Sequence, residues 1–398
     1  MRKFKYKNNQ RLYYSILFFL IISSIAACNA LFPFLHLSWW INILEAIILI
    51  SMFKFAINNK EPLFSTYFII LALSFSSHLF ISEIPINRNF WEVMRWITIL
   101  YLLCIAKEQN NSSLYRIAII FFIFECGIAI YERITLSRLI NYASLMFEST
   151  VMYGEQNDSF FRSCSLLGHP LDNANIVSLF MGFILVNKRM GKCLQAILIL
   201  LGLGALWAFN SRGAILIWII LLSFRFIFYN QRIIYIVSAA FILYLISPFI
   251  IDWLNSGALG RFTLDFSDDS SLTRIDAFMY FLMQDWNLEM ILAGGKLIRM
   301  PGSDLLLENG VLLNLGYWGL IVGPLKIIIE IWVSYKILSH YNIQEKIIIL
   351  GSFWGVGLLN NNTFNSIVIT FFLFAYIAFY SKDFSYQSNQ KQISRIKA

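Results

Sequence analysis

The sequence predicts an all-α polytopic membrane protein with about twelve transmembrane helices and two long loops on the outer side. Three observations predict it. First, 58% of the 398 residues are hydrophobic and only 14% are charged, far too oily a balance for a soluble globule. Second, apolar runs recur at roughly 17 to 25 residues, the length needed to cross a bilayer as helix. Third, Lys and Arg concentrate in alternate connecting segments, the pattern that orients membrane helices.

In chain order the runs fall at residues 12–31, 39–57, 63–81, 91–106, 114–132, 172–187, 193–210, 213–229, 233–251, 317–337, 345–360 and 364–381. Together they make residues 1–398 a single integral membrane domain with no internal repeat and no soluble domain at either end. The first run also fits a second reading. A basic stretch, an apolar run and Ile25-Ala26-Ala27-Cys28 resemble a lipoprotein signal with its cleavage cysteine. A retained first helix is the expectation, because Asn29 to Leu37 leads into no mature soluble domain. Five cysteines without paired spacing imply neither a disulfide framework nor a metal site.

The segments that alternate with the first, starting from Arg2, Lys3, Lys5, Lys7 and Arg11, carry twenty Lys and Arg in total, whereas the opposite set carries nine. Both termini are therefore expected in the cytoplasm. The net charge of +8 then sits mostly beside anionic headgroups, and no nucleic-acid partner is needed to explain it.

Two outer segments are long: residues 133–172 form a first loop and residues 252–316 a larger one. Long loops in compact proteins tend to be functional. Within the larger one, Ser271 to Leu292 reads as an amphipathic surface helix with Phe278, Phe281, Leu282 and Trp286 on one face. Asp268-Asp269 precedes it and fits a helix start better than a metal site.

Arg212 lies in Asn210-Ser211-Arg212-Gly213-Ala214, between an apolar run ending at Phe209 and another beginning at Ile215. A charge at that depth usually marks function or a pairing partner. Nucleotide-activated donors are not available on the outer face, so a synthetic reaction there needs a substrate activated before it crosses. A lipid diphosphate sugar meets that need, and the arginine fork holds phosphate oxygens bidentately without losing charge. Arg212 and Arg274 are the residues expected on the diphosphate.

These residues carry a family resemblance. Leu167-Gly168-His169-Pro170-Leu171-Asp172 resembles the Gly-His-Pro element of the O-antigen polymerase and O-antigen ligase family. Ser211-Arg212-Gly213-Ala214 resembles its Ser-Arg-Gly-Ala motif, and Arg274 followed by Gly294-Gly295 resembles its loop arginine and glycine turn. Glu308-Asn309-Gly310, then Leu312 through Gly316, Gly319 and Leu320, is similar to a segment that usually reads His-Asn, a Leu-rich stretch and Gly-Leu-Ile-Gly. The likeness covers roughly residues 160–335, and the specificity lies in the order of the motifs.

The resemblance implies the polyprenyl-phosphate-dependent membrane glycosyltransferase (GT-C type) fold, with no metal and no cofactor. It also implies a bacterial plasma (inner) membrane setting with the active site facing the periplasm. Glutamate at Glu308, where ligase members carry histidine, shifts the expectation to the polymerase branch. In that branch a growing glycan passes from its polyprenyl diphosphate to a hydroxyl of the next lipid-linked repeat unit. Glu308 or Asp304 would then supply the base that direct displacement needs. Expected partners are polyprenyl-diphosphate-linked oligosaccharide and membrane lipids; a chain-length regulator protein is left open.

Each residue also has an ordinary structural reading. Arg212 fits a snorkelling arginine at a helix end, and Arg274 a solvated charge beside Asp276. Glu308 fits a helix cap. His169 fits a turn residue ordering the helix entry, and Arg162 fits either an acceptor-binding group or a plain loop charge. Within or beside spans, Glu45, Arg95, Glu125 and Glu132 are read as mostly structural, and Lys326 and Glu330, four apart, as a pair on one helix face. Three rival functions remain. They are an O-antigen ligase acting on lipid A core, a lipid-linked oligosaccharide flippase or other transporter, which should show related halves and helices broken near the midplane, and a membrane acyltransferase, which would want a histidine acting on an acyl donor from the cytoplasmic side, where none of the four histidines sits in suitable company.

Overall fold

The structure is a computed structural model describing residues 21–22, 25–31, 112–140, 161–188, 190–230, 276, 278–294, 309–359 and 370–379. Among the described residues every regular element is a helix and there is no strand. In chain order these are α1 (Ala26–Leu31), α2 (Ser112–Thr135), α3 (Pro170–Val186), α4 (Lys192–Ala208), α5 (Arg212–Asn230), α6 (Leu288–Ala293), α7 (Gly310–Ile337) and α8 (Ile343–Leu350). A π turn (Gly351–Gly355) then leads into α9 (Val356–Leu359), and α10 covers Thr370–Phe379. The predicted spans at 114–132, 172–187, 193–210, 213–229, 317–337 and 364–381 each coincide with one of these helices in whole or part, that at 345–360 runs over α8, the π turn and α9, and the end of that at 12–31 holds α1. Those at 39–57, 63–81, 91–106 and 233–251 lie outside the described residues.

Among the described residues two helices, Leu114–Thr135 and Gly310–Ile337, are long and apolar enough to cross a membrane. Around them the packing explains why α3 has no polar stripe: from Asp172 to Val186 it is buried on every side, as a helix at the centre of a bundle must be. Its Phe180 meets Phe121 and Phe122 of α2, and its Phe183 stacks on Phe379 of α10 at 5.4 Å. By contrast α2, α4 and α5 turn Ile120, Phe124, Leu200, Leu216 and Ile219 outward.

Polar contacts fix the end of the bundle opposite the α2 C-terminus. Asn187 donates its amide to the Tyr115 hydroxyl at 3.2 Å, and Lys188 pairs with Glu345 at 2.7 Å. Glu345 also closes a capping box with Asn342 at the start of α8, which satisfies donors a helix end would otherwise leave open.

Helix α7 is not one rod. Gly319 has φ 87° and ψ 168°, and the Asn314 amide donates to the Gly323 carbonyl at 2.9 Å. Nine residues of straight helix rise roughly 13.5 Å, so this bond requires a sharp bend of the axis at Gly319. The segment after the bend, 320–337, is roughly 27 Å long at 1.5 Å per residue, close to the span predicted at 317–337. Along it Lys326 and Glu330, both buried, pair at 2.7 Å, as their spacing predicts. The ammonium also lies 5.4 Å from the Trp318 ring centroid.

The single surface helix expected from Ser271 to Leu292 is corrected. Helix over 278–282 stops at Met283, and α6 starts afresh after Asn287, whose side chain accepts from the Met290 amide at 2.8 Å. Asn287 competes for backbone as a cap rather than continuing a helix, and Trp286 turns back so that its indole N–H reaches the Phe281 carbonyl at 3.3 Å. Phe281 and Trp286 pack with Leu312 of α7, while Phe278 and Leu282 stay exposed.

Candidate functional site

The C-termini of α2 and α4 and the N-termini of α3 and α5 share one end of the bundle, and the segment 161–168 is threaded among them. It has no regular structure, yet Phe161, Ser163, Cys164, Ser165 and Leu167 are buried. Irregular backbone at such a position must find hydrogen-bond partners within the protein. Two carboxylates of α2 supply them. Glu132 accepts from the Leu139 amide at 2.9 Å with one oxygen. With the other it accepts from the Ser163 hydroxyl at 2.5 Å and the Cys164 and Ser165 amides at 3.0 Å each. Glu125, two turns earlier on the same face, accepts from the Leu166 amide at 3.2 Å. Its own backbone carbonyl takes the Ser165 hydroxyl at 2.9 Å.

The start of α3 completes the clamp. Asn173 accepts from the Leu167 amide at 3.2 Å and donates to the Cys164 carbonyl at 2.5 Å. Between them Gly168 adopts φ 76°, a left-handed conformation that glycine takes without the Cβ penalty. His169 is the N-cap residue of α3 with extended backbone, and Pro170 follows at the first helical position, where its missing N–H costs nothing. The His169 side chain is 38% exposed, with Nδ1 3.8 Å from Asp172 Oδ2, and makes no capping hydrogen bond. It therefore orders the turn through its backbone, whose carbonyl accepts from the Asn173 amide at 3.1 Å.

Arginines surround this loop. Arg133, nearly buried, donates to the Phe161 carbonyl and lies 5.3 Å from the Trp207 ring centroid on α4, a cation–π contact. Half-buried Arg162 follows Phe161 directly. The Ser163 amide donates to the Ala208 carbonyl at 3.1 Å, which ties the loop to the turn that carries Arg212. In that turn Asn210 has φ 53°, a region asparagine tolerates better than most residues. Its amide returns to the Trp207 carbonyl at 2.9 Å, and Ser211 bonds back to Leu206. The reversal ends α4 and starts α5 at Arg212, half-buried at its first position. One backbone hydrogen bond, Ser163 to Ala208, thus ties the loop that leads into Gly168-His169-Pro170 to the end of α4, which leads into Ser211-Arg212-Gly213-Ala214.

Burial pushes the Cys164 thiol up to about 11; Arg138 and Arg162 pull it down and Glu132 raises it. Because the folded value lies above the ordinary 9.0, the thiol stays protonated through neutral pH, and the stability it contributes is lost as pH rises from about 9 toward 11. In the native protein at neutral pH, maleimide is expected to modify exposed Cys193 and to leave Cys164 untouched. Mass mapping checks this, and prompt labelling of Cys164 would contradict the buried clamp.

A second junction joins two more of the sequence motifs. Gly294 caps α6 with φ 62°. A Cβ built there would lie 2.7 Å from both the Trp318 carbonyl carbon and the Tyr317 oxygen, and it would strike the Gly319 nitrogen. The glycine turn after α6 therefore seats on the bend of α7.

Arg162, His169 and Arg212 lie on the loop and helix starts at one end of the bundle. Arg274, Asp304 and Glu308 lie outside the described residues, as do Asp268 and Asp269. The N-cap residue of α7 is Asn309, whose side chain accepts from the Val311 and Leu312 amides at 2.9 and 3.1 Å. Sequence reasoning missed the carboxylate clamp, taking Glu125 and Glu132 as generic span charges. Their spacing of seven, which puts both on one helix face, was the available signal. No family model matches this chain, no curated protein matches it, and no solved structure matches it.

Proposed function

We propose that the chain is a metal-independent membrane glycosyltransferase of the polymerase type. It transfers a growing glycan from a polyprenyl diphosphate to the next lipid-linked repeat unit at the outer face of the plasma membrane. One observation carries this reading: the Ser163–Ala208 hydrogen bond at 3.1 Å, which ties the loop carrying Arg162 to the end of α4, four residues before Arg212. Arginines at a helix end, beside a loop held rigid by buried carboxylates, suit a diphosphate whose lipid tail stays in hydrocarbon. In this reading Arg212 and Arg274 hold the leaving diphosphate and Glu308 or Asp304 takes the acceptor proton. Seating of the glycine turn at Gly294 on the bend at Gly319 would bring the large loop to the helix that follows Glu308.

A transporter is the rival with an observation in its favour, since α7 is broken. The break precedes an apolar segment, 320–337, that is itself long enough to span, so it falls at a span end rather than at the midplane where transporter helices unwind.

Deleting the gene and resolving surface polysaccharide by gel tests the proposal. Loss of the long ladder with retention of core plus one unit supports a polymerase, and loss of every capped species points to ligase or flippase. Arg212→Ala is expected to restore little ladder, because a lost charge-assisted contact lowers turnover roughly 10- to 100-fold. A full ladder from that variant removes Arg212 from the mechanism.

A further inference from the structure

Three polar side chains at the bundle core have no hydrogen-bond partner among the described residues: both amide atoms of Asn175, the Ser178 hydroxyl and the Trp218 indole nitrogen. All three residues are 0% exposed. Burying such groups unpaired costs free energy in any protein interior, and native interiors rarely leave them so.

Packing register places them at one level of the bundle. Asn175, Ser178 and Gly182 are spaced by three and four residues, so they share one face of α3. A Cβ on Gly182 would strike the Ser352 hydroxyl, so that face meets the π turn. Lys188 pairs with Glu345 further along, so α3 and the segment 343–359 run antiparallel. One turn back from Gly182, Ser178 therefore stands level with Gly355 and Val356. On the other flank, a Cβ built on Gly351 would lie 2.8 Å from Leu221 and one built on Gly355 3.5 Å from Ile217, which puts Trp218, next to Ile217, at that same level. The wall between is a π turn, a helical irregularity frequent at functional positions because it misaligns the carbonyl ladder.

We propose that α3, α5 and the π turn enclose a chamber that binds ordered water, held by Asn175, Ser178 and Trp218. The donor set selects water over other guests. A bare cation would use the amide oxygen and the hydroxyl but leave the indole and amide N–H groups unpaired. An anion would leave the amide oxygen unpaired. Water donates and accepts, and two to four polar partners are what a buried water requires. The chamber lies about 9 Å along α5 from Arg212 at 1.5 Å per residue, beneath the two motif turns, and it does not depend on what those turns bind.

The full chain in nanodiscs, deuterated and labelled with ¹⁵N-tryptophan, provides the test. The Trp218 indole N–H signal is the one lost in Trp218→Phe, and in the native protein it is expected to show a cross-peak to water despite zero exposure. Asn175→Leu with Ser178→Ala should abolish that cross-peak; Asn175→Leu alone serves if the double variant does not fold. Absence of the cross-peak in the native protein, or its persistence unchanged in the variants, overturns the proposal. So does a melting temperature that rises with sodium chloride over N-methylglucamine chloride in the native protein but not in Asn175→Leu, which would assign the chamber to a cation.

Discussion

Glu132→Ala is expected to destabilise the protein by about 4 kcal/mol and to melt the loop 161–168 before the rest. The carboxylate accepts from the Ser163 hydroxyl and from the Leu139, Cys164 and Ser165 amides, and Glu132 is fully buried. Alanine leaves the buried Ser163, Cys164 and Ser165 donors in a space water does not reach, and each unsatisfied donor carries its desolvation penalty. Glutamine keeps one acceptor but turns an NH₂ toward donors, so Glu132→Gln should fall between alanine and the native protein. Ser163→Ala removes one partner and should cost about 1 kcal/mol. Thermal unfolding in detergent, read beside Cys164 labelling, measures both the loss and its location. A Glu132→Ala protein that melts like the native one, with Cys164 still protected, would show that the clamp holds nothing.

The second large effect is expected at Gly294. Gly294→Ala should cost roughly 3 kcal/mol, combining a left-handed backbone with a clash that no rotamer relieves. The obstructing atoms are backbone of Tyr317, Trp318 and Gly319, so either α6 or the bend of α7 must move. In the proposed enzyme that movement separates the large loop from the helix following Glu308, and polymer should be lost along with stability. Gly127→Ala supplies the contrast. That glycine sits inside α2 with nothing within 4 Å of a built Cβ, and alanine there should be neutral or stabilise by about 0.5–1 kcal/mol through helix propensity. Limited proteolysis at residues 252–316 separates the two. A Gly294→Ala loop as resistant as native would refute the seating of α6 on α7.

Much of the helical layout was legible because span length and composition are local properties. The helices α2, α3, α4 and α5 begin and end within a few residues of their expected positions, set by Pro170, by Asn210-Ser211 and by the extent of each apolar run. Pairing of Lys326 with Glu330 was legible for the same reason, since four residues on a helix fix a distance. The Ser271–Leu292 helix was misread because an apolar stripe with the correct period does not record a competing cap. Asn287 and the returning Trp286 break it, and their advantage comes from packing on Leu312, a partner distant in sequence.

What the sequence determined by itself is therefore an apolar helical chain whose charged motif turns fall in the gaps between runs. Tertiary structure decided which segments meet: the loop at Ser163 with the end of α4 at Ala208, and Gly294 with the bend at Gly319. It also decided that Glu125 and Glu132 face an irregular loop rather than each other's counter-ions. The reason is that a helix's existence follows from the water or lipid its own residues avoid. The partner of a buried donor depends on which distant segment arrives beside it, and one chain's local pattern does not carry that choice.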